Sequence, residues 1–134
     1  MSTRNWGVVR DCMRTEVTEV DGSLDVLSAL KVMKKVGATS LIVKRRDEDD
    51  EYGMLLFSDV AKKVIARDRA PERVNVNEVM SKPVLTVRPD MGIRYCARLF
   101  ENFGISHAPV VENEKIVGIV SFYLLVLEGL PNLD

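Results

Sequence analysis

The chain repeats itself, and that constrains its fold more than any other feature. VRDCMRTEVTEV, from Val9, superposes on VNEVMSKPVLTV, from Val76, so that Met13 falls on Met80. The same offset carries Val17 onto Val84, Val20 onto Val87, Gly37 onto Gly104 and Val43 onto Val110. It then slips by two residues and pairs Gly53 with Gly118 and Phe57 with Phe122. The first copy's surplus lies in KRRDEDDEYG, a charge cluster between two strand-like runs, which predicts a solvated hairpin loop rather than an acidic site.

Periodicity inside each copy repeats as well. SLDVLSALKVMKKVG sets Leu24, Leu27, Leu30, Met33 and Val36 on one helical face ahead of a C-capping Gly37. Its counterpart DMGIRYCARLFENFG places Met91, Ile93, Cys96, Ala97, Phe100 and Phe103 in one apolar stripe, with Asp90 as N-cap and Gly104 as the stop. Each helix leads into a short apolar run, SLIVK or APVVE, then a turn, then YGMLLF or KIVGIVSF. A second helix closes each copy. In the first it is SDVAKKVIARD, with Ser58 as cap and Val60, Val64 and Ile65 facing inward; in the second it is FYLLVL, apolar all round and in need of cover. The expected fold class is α/β (α+β), strand, helix, strand, strand, helix, written twice, with repeat 1 over 8–69, a linker over 70–75 and repeat 2 over 76–130.

Composition removes several classes of function. A chain of 134 residues that is 46% hydrophobic can bury one sizeable core or two very small ones. A formal net charge of -1 provides no field for nucleic acid, and aromatics at 6% provide no stacking platform, so no nucleic-acid partner is expected. The apolar run from Ile116 to Leu127 is broken by Gly118 and Ser121 and falls short of the roughly 20 residues that cross a bilayer, so no membrane insertion is expected either. The first residues lack the apolar core of a secretory signal, which predicts a cytoplasmic protein. Cys12 and Cys96 lie far apart among apolar positions and read as buried free thiols. One histidine, His107, cannot build a metal site or, without a neighbouring nucleophile, a hydrolytic triad; no GxxxxGK, HExxH or GxSxG is present. The residues therefore predict neither enzyme, metal nor required cofactor.

A tandem β-α-β-β-α unit with VRDCM or VNEVM at its start, GISHAPVV in its middle and GIVS before its last helix resembles the CBS domain, named for cystathionine β-synthase. The resemblance spans about Val8 to Leu130. It implies two repeats packed sheet to sheet as one pseudo-twofold module, a Bateman module. It also implies a homodimer built through the terminal helices, and clefts between the copies that hold AMP, ADP, ATP or S-adenosylmethionine as a regulatory ligand. The family's ligand motif runs glycine, two apolar residues, Thr or Ser, two variable residues, Asp. A hydroxyl and free amides at a helix N-terminus suit a phosphate, and an Asp one turn on can accept from both ribose hydroxyls.

Each copy here carries half of that motif. GMLLFSD keeps Asp59 but has Leu56 in place of the hydroxyl, with Ser58 two residues on; GIVSFYL keeps Ser121 but has Leu124 in place of the acid. The resemblance further implies backbone contacts to adenine from Thr15 to Val17 and from Lys82 to Val84, and a phosphate-reaching segment at SHAP, with His107 and Pro109. Lys62, Lys63 and Arg67 follow Asp59 and read as a solvated helix face or as neutralisers of phosphate. The expected function is a stand-alone regulatory module that binds an adenosine nucleotide and signals to a partner protein in trans; the alternative is a ligand-free dimerisation or adaptor module whose clefts are degenerate.

Overall fold

The computed structural model describes residues 6–130. They gather into two compact units, one over Thr18–Val84 and one made from the residues up to Val17 together with those from Leu85 onward.

In the Thr18–Val84 unit the elements are β1 (Glu19–Val20), α1 (Val26–Val36), β2 (Ser40–Val43), β3 (Gly53–Leu56), α2 (Phe57–Val60) and α3 (Val76–Val79). The sheet order is β1-β2-β3, with β1 parallel to β2 and β2 antiparallel to β3, so that Ser40 faces Leu56 and Val43 faces Gly53. Helix α1 begins where Asp25 accepts the Ser28 N–H at 2.9 Å, and it ends at Gly37, whose φ of 69° is left-handed. Capping at Asp25 sets the helical phase. It buries Val26, Ala29 and Met33, leaves Leu24 and Leu30 packed at the margin, and turns Val36 outward, which corrects the expected face by about one residue. These side chains close a core with Leu41, Val43, Leu55, Val60 and Val64. Each fully buried large apolar side chain in such a core contributes about 1.5–3 kcal/mol.

Ser58 does not cap α2. The helix starts at Phe57, two residues earlier than a Ser58 cap requires, so Leu56 is the N-cap and Ser58 lies exposed within the first turn. Beyond Val60 the helix widens over Ala61–Ile65 into a π-helical turn, with the Ala66 N–H donating to Ala61 O at 2.9 Å and the Arg69 N–H to Val64 O at 3.0 Å. Val60 and Val64 are buried, whereas Ile65 faces out.

The other unit contains a 3-10 turn at Val9–Asp11, α4 (Ile93–Phe103), the hairpin β4 (His107–Glu112) and β5 (Lys115–Ser121), and α5 (Phe122–Leu127). Its first strand shrinks to a single parallel bridge between Val87 and Val110. Gly92, not Asp90, is the N-cap of α4, and Asp90 instead meets the Arg88 guanidinium at 3.2 Å. Ile93, Cys96 and Phe100 are buried, Met91 and Ala97 pack beside them, and Phe103 is exposed. Both cysteines are buried free thiols. The hairpin turns tightly through Asn113 and Glu114, both at positive φ, where the first copy has its long loop.

The repeat glycines have a structural reason. Ser81 and Met54 exchange backbone hydrogen bonds at 2.9 and 3.0 Å, which lays Met80 over β3; a Cβ on Gly53 would sit 2.6 Å from the Met80 Sδ. Arg14 and Ile119 exchange the same pair at 2.9 Å, and a Cβ on Gly118 would sit 2.7 Å from the Arg14 carbonyl oxygen and 2.8 Å from the Met13 Sδ. The methionine that opens each sequence repeat thus rests on the glycine of the other, and only glycine admits so close a strand.

Candidate functional site

In the Thr18–Val84 unit the site grows from the strand-to-helix corner at Leu56. Asp59, third residue of α2, folds back so that its Oδ2 accepts the Leu56 N–H at 3.0 Å. Its Oδ1 lies 3.9 Å from the Lys63 ammonium, which also donates to the Val79 carbonyl at 3.0 Å. Lys63 is therefore not a wholly solvated side chain; it joins the acid to the segment that opens the second repeat. One carboxylate oxygen serves the helix, and the other keeps acceptor capacity beside a cation.

Lys82 and Val84 stand apart from this corner. Because Ser81 pairs antiparallel with Met54, Lys82 lies beside Gly53, about 10 Å along the strand from Leu56 at ~3.3 Å per residue. The Lys82 ammonium instead reaches Asp50 in the hairpin loop. There the loop and the β1–α1 turn enclose a cavity of about 480 Å³ lined by Asp21, Gly22, Ser23, Val43, Lys44, Arg45, Arg46, Asn77, Met80 and Lys82. The hydrogen bonds from Arg46 and Lys82 hold the Asp50 carboxyl well below the usual carboxylate range. Sequence reasoning read this loop as solvated throughout. The signal it passed over was the position of a two-residue surplus where three cations precede five acids, which lets one acid fold back on the cations.

In the other unit, Ser121 ends β5, is buried, and accepts the Leu124 N–H on its Oγ at 3.2 Å. His107 is its cross-strand partner, and the His107 Nδ1 lies 2.8 Å from the Ser106 Oγ. Burial lowers the His107 pKa from its ordinary value of 6.5, favouring the neutral ring. Pro109 is buried further along β4, where its carbonyl accepts the Val87 N–H at 3.0 Å. Thr15 is exposed and Val17 half-buried. Both follow Arg14 away from Ser121, since Arg14 pairs antiparallel with Ile119. A cavity of about 380 Å³ opens at the first turn of α5 between Asp11, Met13, Arg14, Tyr123, Leu124 and Glu128, with Leu124 at the position of the missing acid. The structure thus joins His107 to Ser121 and Ser58 to Asp59, but it places the Thr15 and Lys82 segments at other points along their strands.

Among the described residues no group of three or more His, Cys, Asp or Glu side chains could hold a metal ion, and no helix is long and apolar enough to cross a membrane.

The CBS domain family model matches residues 9–66 and 76–126. A homoserine O-acetyltransferase from Methanosalsum zhilinae is 34% identical over 113 residues, which cover 84% of this chain but 22% of that protein. The chain likewise spans 45% of an uncharacterised protein, MK0525, of Methanopyrus kandleri. The CBS domain-containing protein YhcV of Bacillus subtilis is 29% identical over 126 residues, 92% of this chain and 86% of its own. Among solved structures, a hexameric CBS-CP12 protein from bloom-forming cyanobacteria superposes with a TM-score of 0.88 at 34% identity, covering 91% of this chain and 70% of that one. The CBS domain pair of protein MJ0100, solved with 5-methylthioadenosine and S-adenosylmethionine, shares the fold at a TM-score of 0.71 and 24% identity, over 85% and 88% of the two chains.

Proposed function

The chain belongs to the CBS-domain family, and from that membership and the geometry of its strand-to-helix corners we propose that it is a non-catalytic regulatory module. It binds an adenosine-containing ligand of the AMP, ADP or ATP class at the Asp59 corner and signals to a partner protein. The observation that carries this reading is the Asp59 carboxylate, fixed at one oxygen by Leu56 N–H and flanked at the other by Lys63. A carboxylate held in place by the backbone accepts ribose hydroxyls without losing side-chain freedom on binding. The ammonium beside it suits a phosphate. In MJ0100 the same fold holds adenosine derivatives, which supports the adenosine part of the ligand. Ser58, at the exposed start of α2, adds a hydroxyl on the ligand's side. The corner at Ser121 binds more weakly, because Leu124 offers no acceptor there and His107 is tied to Ser106.

The test is thermal unfolding of the protein with AMP, ADP, ATP, NAD and S-adenosylmethionine, for wild type, Asp59→Ala and Asp59→Asn. A ligand at 100 times its Kd adds about 2.7 kcal/mol to the native state. The expected result is stabilisation by one of these compounds that both variants lose, the amide variant keeping its cap. No shift with any ligand at millimolar concentration would sink the reading.

A second reading rests on a different observation. Helix α5 buries Leu124 and Leu125 but exposes Tyr123, at 67%, and Val126, at 51%. An adaptor that self-associates through α5 accounts for that face, and the hexameric CBS-CP12 neighbour shows that a related chain assembles. A Tyr123→Glu, Val126→Glu variant that stays at the wild-type mass in sedimentation equilibrium would exclude assembly through this helix.

A further inference from the structure

We propose that the cavity beside the 44–52 loop is a second, independent binding site, for a phosphorylated small molecule whose phosphate takes over Arg46 and Lys82, two lining residues that now hold the Asp50 carboxylate. Its volume, about 480 Å³, lies within the ~300–1,000 Å³ usual for small-molecule sites. Four cations line it, Lys44, Arg45, Arg46 and Lys82, with one acid, Asp21; Arg46 and Lys82 are paired with Asp50, and Lys44 and Arg45 are not. Val43 and Met80 give it an apolar wall. A phosphate alone would leave most of that space unfilled, so the ligand carries a further organic part.

Asp50 shows how an anion is held by two of those cations. Its Oδ2 accepts the Arg46 backbone N–H at 2.8 Å and the Arg46 Nε–H at 3.0 Å, while its Oδ1 meets the Lys82 ammonium. The Asp50 side chain is 8% exposed, whereas its neighbours Asp47, Glu48 and Asp49 are all exposed, so this is not the general behaviour of the loop's acids. A backbone amide, a guanidinium and an ammonium converging on two oxygens form the donor set a phosphate requires. Exchange of the carboxylate for a phosphate keeps Arg46 and Lys82 paired, and the released Asp50 joins the acids already in solvent, so neither state leaves an unpaired buried charge there. Arg45 is already steadied, its guanidinium 5.0 Å above the Tyr52 ring.

This site has no counterpart in the other unit, whose hairpin turns through Asn113 and Glu114 alone. It also lies at the Val43–Gly53 end of the sheet, away from the Leu56 corner that Asp59 serves. It therefore stands or falls separately from the adenosine reading.

Calorimetric titration of the full chain with pyrophosphate at low ionic strength, and again with sodium chloride at matched ionic strength, tests it. Wild type binds pyrophosphate and not chloride. Asp50→Asn, which removes the competing charge, binds at least about tenfold more tightly. Lys44→Ala, at an exposed position outside the Asp50 contacts, weakens binding several-fold without loss of fold, and Lys82→Ala weakens it further. Pyrophosphate affinity that does not rise in a folded Asp50→Asn, or that survives both lysine substitutions, overturns the proposal.

Discussion

The carboxylate of Asp59 accepts the N–H of Leu56, closing the first turn of α2 from its third position. In the other unit the complementary half of the same device appears, where the Ser121 Oγ accepts the Leu124 N–H from the cap position of α5. A hydroxyl at the cap and an acid three residues on form a capping box as well as the family's ligand motif, and this chain has divided the box between its two copies. Completing it is the direct test. Leu56→Thr supplies the absent hydroxyl to the Asp59 N–H and should stabilise the protein by ~0.5–1 kcal/mol in urea unfolding. On the adenosine reading it also tightens that ligand. Leu124→Asp completes the other box but removes a buried leucine, so it should destabilise by about 2 kcal/mol or more.

Gly118→Ala should cost about 1–3 kcal/mol, because the new methyl meets the Arg14 carbonyl, part of a paired backbone that cannot step aside. Gly53→Ala should cost less. Its nearest obstacle is the Met80 thioether, which can rotate, although the Ser81 carbonyl at 3.3 Å sets a limit. Equal losses in urea unfolding of the two variants would show that the two close approaches are equally rigid.

Glu114 holds a φ of 64° in the two-residue β4–β5 turn, a conformation in which glycine bears no steric cost and glutamate does. Glu114→Gly should therefore raise the unfolding midpoint by the equivalent of ~0.5–1 kcal/mol. A fall instead would mean that the glutamate side chain makes a stabilising contact in solution.

His107 titrates below 6.5 in the folded protein because burial disfavours its charged form. The unfolded chain then takes up a proton first as pH falls, so the contribution of His107 to stability is complete above 6.5, declines below that value and levels off beneath the folded pKa. Unfolding curves of wild type and His107→Gln between pH 7.5 and 5 should diverge in that sense, wild type losing more. At the alkaline end, burial pushes both Cys12 and Cys96 up to about 11, against 9.0 for a free thiol, so stability falls as pH rises through that interval. Neither thiol should react with a disulfide reagent at pH 8 until urea is added.

The sequence showed the tandem unit because both copies keep the apolar periods and the paired glycines that a common packing demands. Met13, Met80, Gly53 and Gly118 align on paper because each methionine rests on the other copy's glycine. The helix faces were legible only to within a residue: Val36, Ile65 and Phe103 fit the period but lie past the point where the core ends, and periodicity does not report where packing stops. Ser58 misses the cap for a similar reason, since a helix start two residues earlier decides which residue caps. The run of cations before acids hinted at the local Arg46 half of the Asp50 clamp, but the long-range pairing with Lys82 leaves no local pattern.

The exchange of opening segments gives the chain an uneven topology. One unit, Thr18–Val84, is a single uninterrupted stretch, while its companion is assembled from the two flanking pieces of chain. In chain order, then, the Thr18–Val84 stretch is a guest that interrupts its host. A cut in the 70–75 linker would not separate the two; it would deprive the guest of Val76, Val79 and Met80, which line or border its core, and strand those residues on the host. During synthesis the guest has all of its residues once Val84 has emerged, whereas the host must hold Val9 and Cys12 uncovered until Phe100 and Val120 follow.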